Sequence, residues 1–256
     1  MEILISNKNQ KNPFIFVKAR RCGSNSLDAW LKNNIGKENY INLSGDNEFI
    51  NYSVFNCVDD DIMSGYKTTF CRNPYTRVIA GYLADIFHIT PSLGVNINDL
   101  NHPNQSPQEL ITSVGLPMHL YKFTDNKDIH IEAFTKFLDA QVEYLKTNTI
   151  KYQWQSDYAL VFRPLWDTVL DKNDDNINFF DKIVKQENIE EDWVDVSTKI
   201  LGKNSPLPRV NNFKERHPQS TPTKTSDFLY LLDYNNNKNK IADNWKKDFE
   251  LFGYTT

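Results

Sequence analysis

Cysteine is scarce in this chain. Only Cys22, Cys57 and Cys71 occur in 256 residues, an odd number too small for a disulfide framework. All three read as reduced thiols, which points to a cytoplasmic setting. No apolar run reaches the roughly 18 residues of a membrane span, and Met1 to Pro13 is polar rather than signal-like. Excess positive charge is lacking too: 29 Lys and Arg stand against 33 Asp and Glu, a net charge of −4. Such a surface has no global field to attract nucleic acid. The five histidines fall into no cluster with metal-ligand spacing, so no metal is expected. Any anion site must therefore be local, built from a few cations and backbone N–H groups.

Aromatics, by contrast, are plentiful, with 16 Phe, 12 Tyr and 5 Trp, enough for a substantial core. Neither an internal repeat nor a linker composition divides the chain, so residues 1–256 read as a single domain. Phe14-Ile15-Phe16-Val17 is a short apolar run of the kind found in buried parallel strands. A Gly- and Ser-containing loop follows, and then Leu27, Trp30 and Leu31 at helical spacing. The same order returns at Thr68-Thr69-Phe70-Cys71, with Asn73-Pro74 as a helix start and Val78, Ile79, Tyr82, Leu83 and Ile86 on one face. Further on, Ile131, Phe134, Phe137 and Leu138 predict a helix, Phe179 to Lys185 a strand, and Glu190 to Leu201 a helix closed by Gly202. Ile241, Trp245 and Phe249 stripe a last helix, whereas Pro91 to Pro117 reads as loop. The class is α/β.

Arg21-Cys22-Gly23-Ser24-Asn25-Ser26 lies between the first strand and its helix. Glycine lets backbone N–H groups approach an anion, the helix start adds partial positive charge, and Arg21 adds a full one. A turn that only caps the helix is the plainer reading; the position after a buried strand, with a cation inside, favours the anion. Nucleotide kinases carry G-x-x-x-x-G-K-[ST] at this place, with lysine after the glycine. Here the cation precedes Gly23, which argues against a kinase. Arg72 occupies the second turn, and two parallel units place both turns on one sheet edge, so Arg21 and Arg72 can face a single, doubly anionic ligand. Cys71 to Arg77 also has the C-x₅-R spacing of cysteine phosphatases. Pro74 removes a backbone donor, no glycine intervenes, and Val78 follows the arginine, so Cys71 reads as a buried strand residue.

With both loops in view, the chain resembles the sulfotransferases that use 3′-phosphoadenosine 5′-phosphosulfate (PAPS), especially the carbohydrate branch. Phe16 to Leu27 is similar to the family's 5′-phosphosulfate loop, and Phe70 to Tyr82 to its 3′-phosphate segment. Weaker likeness covers Phe134 to Leu138, Gln155-Ser156, Val184 to Asp192, Leu207 to Asn211 and Asp248 to Tyr254. The resemblance implies a three-layer P-loop-type fold with a central, mainly parallel sheet flanked by helices. It implies sulfonate transfer from PAPS to a hydroxyl of a carbohydrate or other small acceptor, releasing 3′,5′-ADP. Donor contacts would fall on Arg21, Cys22, Gly23, Ser24, Asn25, Ser26, Arg72, Ala80 and Lys185, with Arg216 as a late basic residue able to reach a phosphate. Ala80 stands where the family has serine, so one hydroxyl contact is missing; a histidine usual before the Gln-Ser segment is missing as well. A nucleotide-binding relative without catalysis is thus the rival reading. Arg21 is the candidate for stabilising the leaving group. For the general base, Asp46, Glu48 and His119 are the candidates, and the acceptor would be shaped by Pro91 to Lys127.

Overall fold

The computed structural model describes residues 2–6, 11–19, 21–44, 60–87, 127–149, 163–169, 177–210 and 224–256. They divide into two compact units. One comprises Met1–Asn73, Arg163–Val210 and Lys247–Thr256; the other comprises Pro74–Phe162 and Asn211–Lys246.

The first unit holds a five-stranded sheet. Its strands are β1 (Glu2–Ser6), β2 (Phe14–Lys18), β3 (Tyr40–Ser44), β4 (Tyr66–Cys71) and β5 (Lys182–Lys185), in the order β3-β1-β2-β4-β5. β2 pairs parallel with β4, and β4 parallel with β5. β1 runs antiparallel to both β2 and β3, so it alone opposes the other four strands. The parallel core agrees with the sequence reading. β1 is an addition to it, since Glu2–Ser6 lies in a stretch that reads as polar. Ile3, Leu4 and Ile5 are all buried there, and Ser6 Oγ accepts from Phe14 N–H at 2.9 Å.

The register sorts the side chains by face. Leu4, Phe16, Phe70 and Val184 share one face, and Ile3, Val17 and Cys71 the other. Helices α1 (Ser24–Asn34) and α2 (Asp60–Met63) lie along the chain between β2 and β4. Trp193, beyond β5, stacks on Phe16 at 6.0 Å and on Phe70 at 5.6 Å, and meets Trp30 of α1 edge-on at 5.0 Å. Indole N–H groups of Trp30 and Trp193 both donate to the Ser205 carbonyl at 3.1 Å. Helix and sheet are thus joined through an aromatic cluster, as expected where large rings supply most of the buried area.

The second unit is helical among its described residues. It contains α3 (Pro74–Phe87), α4 (Lys127–Thr147), a 3₁₀ segment (Thr225–Asp233) and, later in the chain, Asn237–Asn244. Tyr82 of α3 packs on Phe134 at 5.1 Å and on Phe137 at 5.6 Å, realising the apolar stripes seen in the sequence. The Asn237 amide ties this unit together by donating to Thr135 Oγ1 and the Leu231 carbonyl.

In the first unit, α5 (Leu165–Val169) precedes β5, and α6 (Ile189–Leu201) follows it. Asp248 is buried and accepts both the Leu165 and Trp166 N–H groups, at 2.6 and 2.8 Å, satisfying the free donors at the start of α5. The expected strand from Phe179 starts only at Lys182, because Ile177–Phe179 closes a 3₁₀ turn. The expected last helix is two, α7 (Asn237–Asn244) and α8 (Lys246–Phe252), since Trp245 leaves helical geometry at φ −111°, ψ 21°. No helix among the described residues is long and apolar enough to cross a membrane.

Candidate functional site

Parallel strands β2, β4 and β5 end at one edge of the sheet, and three connections leave from it: residues 19–23, Arg72-Asn73, and the 3₁₀ turn Gln186–Asn188. The outer edge of parallel strands is where α/β sheets bind ligands.

In the first connection Arg21 has φ 64° and Gly23 φ 102°. Two left-handed residues in three turn the chain sharply from β2 into α1. Gly23 is the N-cap of α1, and its carbonyl accepts from Ser26 N–H at 3.0 Å and Leu27 N–H at 3.3 Å. Ser24 and Asn25 open the helix and by position have no carbonyl one turn back to bind. Their N–H groups, with the helix dipole behind them, are the donors on which the sequence reading places an anion. A Cβ on Gly23 would stand 3.5 Å from Ile189 Cδ1, ordinary contact, so backbone conformation rather than space requires glycine here.

Arg72 joins the two predicted loops. Its Nη1 donates to the Arg21 carbonyl at 3.3 Å, so residues 51 positions apart are brought together as the parallel geometry requires. Both arginines are half-buried, as are Ser24 and Ser26, while Asn25 is exposed. Cys22 lies fully buried in the core cluster, which leaves only its backbone to face a ligand. Lys18, just before the loop, is paired with Asp28 of α1 at 2.9 Å.

Lys185 ends β5 at the same edge. Its ammonium donates to the Gly253 carbonyl at 3.1 Å and lies over the Tyr254 ring at 4.7 Å. Ala80 belongs to α3 in the second unit and is half-buried. Asp46, Glu48, His119 and Arg216 lie outside the described residues, as do Gln155, Ser156 and the expected loop from Pro91 to Pro117.

Two residues with no role in the sequence reading complete this edge. Glu187 accepts the Asn73 N–H at 2.9 Å through Oε1 and the Tyr254 hydroxyl at 2.8 Å through Oε2. Tyr254 also lies 3.3 Å from Cys71 Sγ. A phenol has one proton, and Glu187 receives it, so the Cys71 thiol must be the donor to Tyr254. Burial pushes this thiol up to about 12, and the Tyr254 phenol is likewise raised, by burial first and Cys71 next. At neutral pH Cys71 is therefore a protonated thiol, the opposite of a phosphatase nucleophile. No periodic signal marks Glu187 or Tyr254; only their inclusion in the family-like stretches could have drawn notice.

The sequence profile of the sulfotransferase family matches residues 6–255. The chain belongs to the sulfotransferase family. No curated protein and no solved structure matches it. The match runs through all three connections of this sheet edge. It agrees with the mixed sheet, parallel at its centre.

The protonated state of Cys71 has a measurable consequence for this sulfotransferase. An unfolded thiol ionises near its ordinary value of 9.0, whereas the folded one holds its proton to about 12. Between those values the unfolded chain binds fewer protons, so stability falls as pH rises, by up to roughly 1.4 kcal/mol per pH unit for this group. Urea midpoints from pH 8 to 11 should decline, and less steeply in Cys71→Ala. Iodoacetamide should leave Cys71 unmodified at pH 8 until the chain is unfolded.

Proposed function

We propose that this chain transfers a sulfonate group from PAPS to a hydroxyl of a carbohydrate or another small acceptor, releasing 3′,5′-ADP. The observation that carries the reading is the Arg72–Arg21 contact, which places two cationic connections side by side on one sheet edge of a sulfotransferase-family chain. A donor with a phosphate at each end of its ribose asks for two such anion sites. Ser24 and Asn25 offer N–H donors and Ser24 and Ser26 offer hydroxyls to the 5′-phosphosulfate, and Arg21 offers charge. Arg72 is assigned to the 3′-phosphate, the group that distinguishes this donor from other adenylates.

PAPS supplies an activated sulfonate whose departure leaves negative charge on a phosphate oxygen. Arg21 and the α1 N-terminus, fixed before reaction, stabilise that charge without reorganising. The acceptor hydroxyl must be held in line with the breaking bond, and its proton taken by a base. Asp46, Glu48 and His119 remain the candidates for that base. Residues 1–256 are assigned to one sulfotransferase domain, in which Ala80 lacks the hydroxyl that the family's serine would offer. Free thiols at Cys22 and Cys71 support placing it in the cytoplasm.

Calorimetric titration with 3′,5′-ADP, 5′-AMP and Mg-ATP tests the donor. Tightest binding of 3′,5′-ADP is expected, and a preference for Mg-ATP would overturn the reading. Transfer of labelled sulfonate from PAPS over a panel of sugars and small alcohols tests the activity. Selective 3′,5′-ADP binding with no transfer to any acceptor would favour a non-catalytic relative.

A further inference from the structure

Arg72 and Asn73 form the short connection between β4 and α3. The Glu187 carboxylate holds the Asn73 N–H from 114 residues further along the chain. Glu187 is itself held from behind. Its second oxygen takes the Tyr254 hydroxyl, and Tyr254 is seated by three contacts of its own. They are its N–H to the Phe249 carbonyl at 2.9 Å, Cys71 Sγ and the Lys185 ammonium over its ring, and Lys185 also donates to the preceding Gly253 carbonyl. Gly253 has φ 63°, which turns the chain back after α8 so that Tyr254 enters this edge.

We propose that Glu187 is a positioning residue for the 3′-phosphate connection, with the Gly253-Tyr254 hook as its support. This rests on the donor reading above, in which Arg72 takes the 3′-phosphate. A carboxylate with both oxygens engaged makes two charge-assisted hydrogen bonds and has little freedom to turn. It sets the Asn73 backbone, and the adjoining Arg72 backbone inherits that position. Anion recognition by a guanidinium fork depends on orientation, so a small backbone shift is felt as lost affinity for one phosphate only. Glu187 itself need touch no ligand.

The test compares 3′,5′-ADP with 5′-AMP by calorimetry, in the wild type and in Glu187→Ala, Glu187→Gln and Tyr254→Phe. Glu187→Ala should weaken 3′,5′-ADP about tenfold and leave 5′-AMP within about twofold. Glu187→Gln keeps a carbonyl oxygen for the Asn73 N–H and should restore most of that loss. Tyr254→Phe should give a smaller loss of the same selectivity, and combined with Glu187→Ala should add nothing further. Amide exchange at Asn73 should quicken in Glu187→Ala without any ligand present. An unchanged ratio of the two affinities in Glu187→Ala, or an equal loss of both, overturns the positioning role while the donor reading stands. A wild type that binds both nucleotides alike overturns the donor reading, and the proposal with it.

Discussion

Replacing Arg72 with alanine should weaken binding of 3′,5′-ADP by about 10- to 100-fold while changing 5′-AMP by no more than about threefold. A hydrogen bond to a charged group contributes roughly 1.5–3 kcal/mol, which converts to this range. The guanidinium has five N–H donors, and one nitrogen is already committed to the Arg21 carbonyl. That strap aims the rest of the fork and also ties the second connection to the first. Alanine removes the charge and the strap together, so the larger end of the range is expected. Arg72→Lys keeps a charge without the planar fork and should fall between the two. Calorimetry with both nucleotides decides the matter: an equal loss for each would move Arg72 from 3′-phosphate recognition to general support of the loop.

Trp193→Ala should lower the unfolding free energy by about 3–5 kcal/mol, the range for emptying a large aromatic from a core. Trp193 is 1% exposed and touches Phe16, Phe70 and Trp30, one ring from each of three neighbouring elements. Its N–H also serves the Ser205 carbonyl, which keeps Trp30 as a second donor when the first is lost. The damage is therefore chiefly the cavity. Thermal denaturation should show a midpoint lower by about 10 °C, given roughly 2–4 °C per kcal/mol at this size. Trp193→Phe keeps the stacking and should recover more than half of the loss. Because Phe70 lies in β4 two residues before Arg72, nucleotide affinity should fall in Trp193→Ala as well.

What could be read in the sequence was whatever is written locally. Arg21 to Ser26 and Arg72 to Pro74 announce themselves because a buried run, a turn and an apolar helix face follow one another within about a dozen residues. Parallel order then places both turns on one edge, and the Arg72–Arg21 contact follows from that order. Glu187 and Tyr254 lie 67 residues apart and meet only through the fold, so no spacing rule finds them. β1 was hidden for a different reason. Its Ile3, Leu4 and Ile5 are buried on both faces, so Glu2–Ser6 shows no alternation, and its polar neighbours mask so short a run. The split of the last helix at Trp245 was also unreadable, since the stripe of Ile241, Trp245 and Phe249 continues across it. As for the base, Asp46, Glu48 and His119 rest on residue type and on relatives' habits, and the described residues add nothing to that choice.

The pairing of β4 with β5 also governs when this edge of the sheet can form during synthesis. Thr68 and Lys182, partners in the register, are 114 residues apart, and Cys71 waits 183 residues for Tyr254. Contacts of such long range are slow to close, because the intervening chain must be ordered before they give anything back. Until Lys182 to Lys185 have left the ribosome, β4 carries an open edge beside a growing chain, which is the arrangement most prone to pair with the wrong strand. A stalled or truncated translation product would thus be an aggregation hazard before it was ever a weak enzyme.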